Sequence, residues 1–288
     1  MRRALLVALC LTSLALAALV TVAGAPGQHD AGTSPDVHAP DEEEPMDEPL
    51  SPDAAATEAA AAPTVEAPPL PACVVADDPA AATSYDDWRV TLLDTRYALP
   101  ESYEPPDLVA VATAFPEGSI AAGGGLLRAL VIDDLRALVA DAAAAGHQLA
   151  VQSAYRDYRY QVDTFQYWVA RQGLDGAIAT SARAGHSEHQ LGTALDLRSL
   201  SGPAAWDVDD WAATPEGAWV VANAWRYGFV MSYPRERQEL TCYAYEPWHY
   251  RYFGRELAAQ INASGLTARE YLWAFSHDQP TTAAPGAP

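Results

Sequence analysis

Gly185-His186-Ser187-Glu188-His189-Gln190-Leu191-Gly192-Thr193-Ala194-Leu195-Asp196 is the densest polar cluster of the chain, and what surrounds it decides the fold. Upstream, Asp157 is a good N-cap for a helix over Tyr158 to Gln172, which Gly173 closes. Downstream, Thr214-Pro215-Glu216 opens another helix, with Thr as cap and Pro in the first turn. It runs through Trp219 and Trp225 to Tyr227 and stops at Gly228. The cluster between them therefore reads as loop and strand. Further upstream, Leu126 to Ala145 has the clearest helical period, with Leu127, Leu130, Val131, Leu135, Leu138 and Val139 on one face and Gly146 at its end. Gln148 to Ala154, Phe229 to Tyr233 and residues 240 to 252 read as strands. Helices over Arg255 to Ala263 and Thr267 to Phe275 close the pattern. There is no internal repeat and no regular strand–helix alternation. The pattern predicts an α+β fold with a small, mostly antiparallel sheet flanked by helices, rather than a doubly wound parallel sheet.

Composition sets the domain limits. Residues 26–80 contain no Lys or Arg and carry 13 acidic residues among frequent Ala and Pro. Such a segment cannot bury enough apolar surface to order itself, and reads as a disordered linker. Residues 81–277 hold most of the aromatic residues and form one expected domain, large enough for a real core. Residues 278–288 read as a disordered tail. The formal charge of −21 leaves no basic patch, which argues against nucleic acid or acidic lipid as a partner.

Arg2 and Arg3 precede an uncharged apolar run through residue 25, the pattern of an export signal. The run is also long enough to span a bilayer, so residues 1–25 are either a cleaved leader or a retained membrane anchor. Both readings place the domain outside the cytoplasm. Two Cys remain in the exported part, Cys73 and Cys242. An even count in an oxidising compartment, without a Cys-x-x-Cys spacing, predicts a disulfide between them.

A second polar cluster, Tyr245-Glu246-Pro247-Trp248-His249-Tyr250, lies some fifty residues beyond the first. Together the clusters offer His, Asp, His and a Glu. Two imidazoles and a carboxylate are good zinc ligands, and three protein ligands leave a fourth position for water. A Glu three residues before a ligand His can stand beside the metal and take a proton without coordinating it. Spacing alone leaves a second reading open, a polar turn plus a buried His held by its neighbours. His186 reads as an exposed loop residue. Glu188 reads as a solvated rim charge or a partner of a ligand. Trp206, Trp211, Trp219 and Trp225 read as core and cleft wall.

Ser187-x-His189-x-x-Gly192-x-Ala194-x-Asp196 followed by Glu246-x-Trp248-His249 resembles the signature of VanY-type zinc D-alanyl-D-alanine carboxypeptidases, relatives of the D-Ala-D-Ala dipeptidases. Leu93-Asp94-Thr95-Arg96-Tyr97-Ala98-Leu99-Pro100 resembles the family's entry segment, and Ser153-Ala154-Tyr155-Arg156 with Gln161 its substrate-binding strand and helix start. The resemblance covers about residues 85–275. It implies His189, Asp196 and His249 as ligands of Zn2+ and Glu246 as general base. Arg156 is implied to stabilise charge on the scissile carbonyl oxygen, for which a fixed guanidinium is suited. Ser153, Gln161 and Ser187 are implied to hydrogen-bond the substrate, with Trp248 packed beside the site.

The expected activity is removal of the terminal D-Ala from peptidoglycan stem peptides. A D,D-dipeptidase and an L-Ala-D-Glu endopeptidase are alternatives on the same metal site, because specificity lies in cleft loops. A non-catalytic wall-binding module is a further one, against which Glu246 and Arg156 argue.

Overall fold

The computed structural model describes residues 69–116 and 123–278. In chain order the regular elements are β1 (Asp78–Pro79), β2 (Tyr97–Ala98), β3 (Leu108–Ala110), β4 (Leu126–Arg128), α1 (Ala129–Ala144), β5 (Leu149–Ser153), α2 (Tyr158–Thr180), β6 (Ala194–Ser199), α3 (Pro215–Asn223), β7 (Phe229–Met231), α4 (Gln238–Thr241), β8 (His249–Tyr252), α5 (Arg255–Ser264) and α6 (Ala268–Asp278). The central sheet has the order β5-β6-β8-β7, and every pair in it is antiparallel. This is the expected α+β architecture.

Strand alternation separates the core from the site. Leu195 and Leu197 on β6, and Tyr250 and Tyr252 on β8, join the core with Val131, Leu135 and Leu138 of α1. Their neighbours Asp196, His249 and Arg251 are also buried but polar, and belong to the other face. The register pairs Asp196 with His249 across β6–β8 and, past a bulge between Val151 and Ser153, Ser153 with Asp196 across β5–β6. Ser153, Asp196 and His249 therefore stand in one row across three strands. Directly opposed residues share a face.

Several expectations change in detail. Leu126–Arg128 does not start the helix but pairs with β3, so α1 begins at Ala129. Arg128 explains this: it is buried and held by Asp107 at 2.8 Å, a pairing that outweighs its helical period. The expected stop at Gly173 is a break rather than an end. Gly173 has φ 76°, and a second helical stretch resumes beyond it to Thr180. Residues 240–252 are strand only from His249. Gln238–Thr241 is a helical turn, Cys242 ends it in the left-handed region at φ 70°, and Ala244 N–H donates to Ala179 O rather than to a sheet neighbour.

The packed unit also starts before residue 81. β1 pairs with β2, Ala80 is buried, and Arg183 donates to Asp77 and to the Ala76 carbonyl. The expected boundary at residue 80 thus falls inside the packed segment, because three backbone hydrogen bonds to residues 95–98 and the guanidinium groups of Arg96 and Arg183 hold a stretch whose composition alone would leave it loose. Residues 1–68, with the expected leader and most of the linker, and residues 279–288 lie outside the described residues.

Cys73 and Cys242 form a disulfide that closes a separation of 169 residues, with Cα atoms 5.2 Å apart. Closing so long a loop restricts the unfolded chain, which contributes on the order of 2–5 kcal/mol. Urea unfolding of the Cys73→Ser, Cys242→Ser double variant should show a lower midpoint than the oxidised parent. Superimposable curves would show that the crosslink adds nothing.

Candidate metal centre and cleft

His189 reaches the sheet row from a 3-10 turn, Glu188–Leu191. Ser187 caps the turn by accepting from His189 N–H at 3.3 Å. Gly192 ends it at φ 71°, where an added Cβ would lie 2.9 Å from Arg128 Cγ and 3.0 Å from Leu108 Cδ2. Glycine is thus required both by conformation and by space. The turn drops His189 beside the strand pair. His189 Nε2 lies 3.4 Å, and His249 Nδ1 3.1 Å, from the same Asp196 oxygen. Ligand atoms of the three residues all fall within 4.8 Å of one another, and all three residues are buried.

The far side of each ring is occupied. His189 Nδ1 is 2.7 Å from the Ala154 carbonyl, which can only accept, so this nitrogen carries the proton. His249 Nε2 is 2.9 Å from Glu188 Oε2. The other nitrogen of each ring thereby faces Asp196. Two neutral imidazole nitrogens and a carboxylate, each oriented from behind, fit a zinc ion.

Burial and mutual pairing shift the three residues in different directions. Burial and the Arg156 guanidinium lower His189 to about 4. Burial also pulls His249 down, but hydrogen bonds to Asp196 and Glu188 outweigh it and hold the ring up at about 10. Asp196 lies below the usual carboxylate range despite burial, because His189 and His249 favour its charge.

Glu246 sits at the edge of the row. The turn Glu246-Pro247-Trp248-His249 closes with His249 N–H donating to Glu246 O at 3.1 Å, so Glu246 precedes the strand and escapes its alternation. Burial raises its carboxyl to about 7, against the opposing pull of His249 and Arg156. Arg156 Nη1 donates to Ser153 Oγ at 2.6 Å and lies 3.7 Å from Asp196 Oδ2. The group opens into a cleft of about 950 Å³ whose walls include Ser153, Arg156, Ser187, Glu246 and Trp248. Across the cleft mouth Trp206, half exposed, meets Trp248 edge-on at 6.4 Å. Trp211 is buried in the core, and Trp219 packs against it.

Two sequence readings are corrected by the structure, and a third is narrowed. Gln161, expected to touch substrate, is fully buried behind Arg156. It accepts from Arg156 Nε at 2.8 Å and donates to the Ala182 carbonyl. His186 is no exposed loop residue: it is buried, with Nδ1 on the Asp94 carbonyl and Nε2 on Asp77. Of the two readings of Glu188, the structure favours the partner of a ligand candidate: it is buried, between His249, Ser232 and Arg251. Sequence reading also missed Tyr233, whose ring stacks on His249 at 4.9 Å.

Residues 125–255 match the family described as VanY, D-alanyl-D-alanine carboxypeptidase. The chain belongs to the VanY family. It is 37% identical over 185 residues to the putative carboxypeptidase YodJ of Bacillus subtilis (strain 168), covering 64% of this chain and 66% of that one. The chain spans 66%, 40% and 46% of the length of three curated relatives. Among solved structures, the LdcB LD-carboxypeptidase superposes with TM-score 0.56 at 32% identity, over 72% of this chain and 99% of that one. A vancomycin-resistance D,D-pentapeptidase VanY from a VanB-type cassette, solved with Zn(II), gives 0.54 at 28% identity, over 64% and 99%.

Purified VanY-family protein of this sequence should carry one zinc per chain by elemental analysis. His249→Ala should lose most of it, since two ligands cannot hold the ion in a four-coordinate site. Full retention of zinc in that variant would show that the ion is bound elsewhere.

Proposed function

We propose that this chain is a zinc-dependent D,D-carboxypeptidase that removes the terminal D-Ala from peptidoglycan stem peptides. The observation that carries the reading is the convergence of His189, Asp196 and His249 beside Glu246 and Arg156 in one open cleft. In the proposed roles His189, Asp196 and His249 hold the zinc. When bound, the ion polarises the scissile carbonyl and makes water a better nucleophile. Glu246 takes a proton from the attacking water and hands it to the leaving amine. Arg156, fixed by Ser153 and Gln161, offers a preset guanidinium to the carbonyl oxygen as it gains charge. Ser153 and Ser187 line the cleft within reach of a bound peptide, and Trp248 forms its apolar wall.

The export pattern of residues 1–25 supports a location outside the cytoplasm, where this polymer lies. The disulfide agrees with an oxidising compartment. Residues 26–68 would then link the domain to a leader or an anchor. An L,D-carboxypeptidase is the second reading, favoured by the likeness to LdcB.

The test is D-Ala release from synthetic stem peptides ending in D-Ala-D-Ala, compared with peptides in which a single D-Ala follows an L-residue. Preference for the first supports the proposal, and preference for the second supports the L,D reading. Glu246→Gln keeps the size and removes the base. It should retain zinc and lose at least about 100-fold in turnover. Loss of zinc would make Glu246 a ligand, and unchanged turnover would place the base elsewhere.

The rate should also depend on pH with a definite sign. The base works only when ionised, so kcat/KM should fall on acidification through the Glu246 pKa. Burial raises that value to about 7 and a bound cation lowers it, which sets about 7 as the upper limit of the acid limb. A rate that climbs as the solution is acidified below pH 7 would contradict the assignment.

A further inference from the structure

We propose that Glu188, braced by Arg251 and Ser232, is a positioning residue that sets the orientation of the ligand His249. The inference rests on the zinc reading above and adds a residue to it.

The carboxylate of Glu188 is buried and accepts from three donors. Arg251 Nη1 reaches Oε1 at 3.0 Å; Ser232 Oγ and His249 Nε2 reach Oε2 at 2.6 and 2.9 Å. A buried carboxylate is costly unless paired and hydrogen-bonded, and here it is both. Its cation is itself fixed. Arg251 has no exposed surface, and its Nη2 donates to the Trp88 and Thr91 carbonyls at 2.7 and 2.8 Å. The brace thus starts on the backbone between residues 88 and 91 and ends on the ring of His249.

β8 makes this arrangement possible. Residues two apart on a strand share a face, so His249 and Arg251 stand side by side, and one carboxylate from the facing turn meets both. An ionised carboxylate only accepts, so Nε2 of His249 must be the donor, which leaves Nδ1, on the side of Asp196, as the nitrogen that can bind a metal. Tyr233, stacked on the ring at 4.9 Å, restrains its tilt. His189 is held differently, by the neutral Ala154 carbonyl. Of the two histidines, only His249 has a charged group behind it.

A plainer role for Glu188 is to neutralise Arg251. The two roles differ in what they predict for the metal. Glu188→Gln keeps shape but turns an amide donor toward groups that are already donors. Zinc affinity, measured by competition with a chromophoric chelator, should weaken by about 10–100-fold relative to the parent. The visible spectrum of the Co(II)-substituted variant should shift as the His249 ring turns. An unchanged zinc Kd and Co(II) spectrum, with only a lower Tm, would overturn the proposal and leave Glu188 as a counter-charge. If the variant does not fold, the histidine 15N–1H spectrum of the zinc-loaded parent decides. A slowly exchanging Nε2–H on His249 supports the proposal, and a proton on Nδ1 overturns it. Failure of the parent to bind zinc would overturn the metal reading, and this proposal with it; a parent that binds zinc beside a variant of equal affinity overturns this proposal alone.

Discussion

Asp196 faces His249 across the β6–β8 ladder, and the rest of the site is arranged around that pairing. A strand has a period of two, so slipping this register by one residue would turn one of them into the core and bring a leucine or tyrosine into the cleft. The correct register buries Leu195, Leu197, Tyr250 and Tyr252 on the helix side. Folding the core and aligning Ser153, Asp196 and His249 in one row are thus the same event. The bulge after Val151 extends the row to Ser153, and the loop leaving that strand delivers Arg156.

The charged groups around this row are held by fixed counter-charges. Arg156 lies beside Asp196, Arg251 beside Glu188, and Arg269 beside Asp94 at 2.7 Å. Arg269 also donates to the carbonyls of Leu240 and Pro71. That one guanidinium ties α6, the start of the described chain and the loop leading to Glu246. The Cys73–Cys242 bridge fastens the same two segments covalently. Tyr243 follows Cys242 and packs on Tyr233, which stacks on His249. The loop that carries Glu246 is therefore pinned on the side away from the metal row.

Much of this was legible in the sequence because it depends on local chemistry. The caps at Asp157 and Thr214 and the left-handed stop at Gly228 mark helix ends with few alternatives. The convergence of His189, Asp196 and His249 was legible through their spacing together with the family resemblance. What was not legible depends on distant partners. Arg128 abandons a helical period for Asp107, and Cys242 breaks an expected strand. His186 and Glu188 sit in a polar run that reads as a loop, yet Asp77, Asp94, Arg251 and Ser232 close over them from elsewhere in the chain. Burial of a polar residue follows from its partners, which spacing does not show. The alternation His249-Tyr250-Arg251-Tyr252 was the one available clue that a cation stands next to His249.

In the proposed site the sheet register and the Glu188–Leu191 turn bring His189, Asp196 and His249 around one metal ion. Anomalous diffraction from crystals of the zinc-loaded protein, collected on both sides of the zinc absorption edge, tests it directly. The account predicts a single strong peak enclosed by His189, Asp196 and His249, with Glu246 outside its coordination shell. A peak at another cluster, or none among these three residues at full zinc loading, would contradict it.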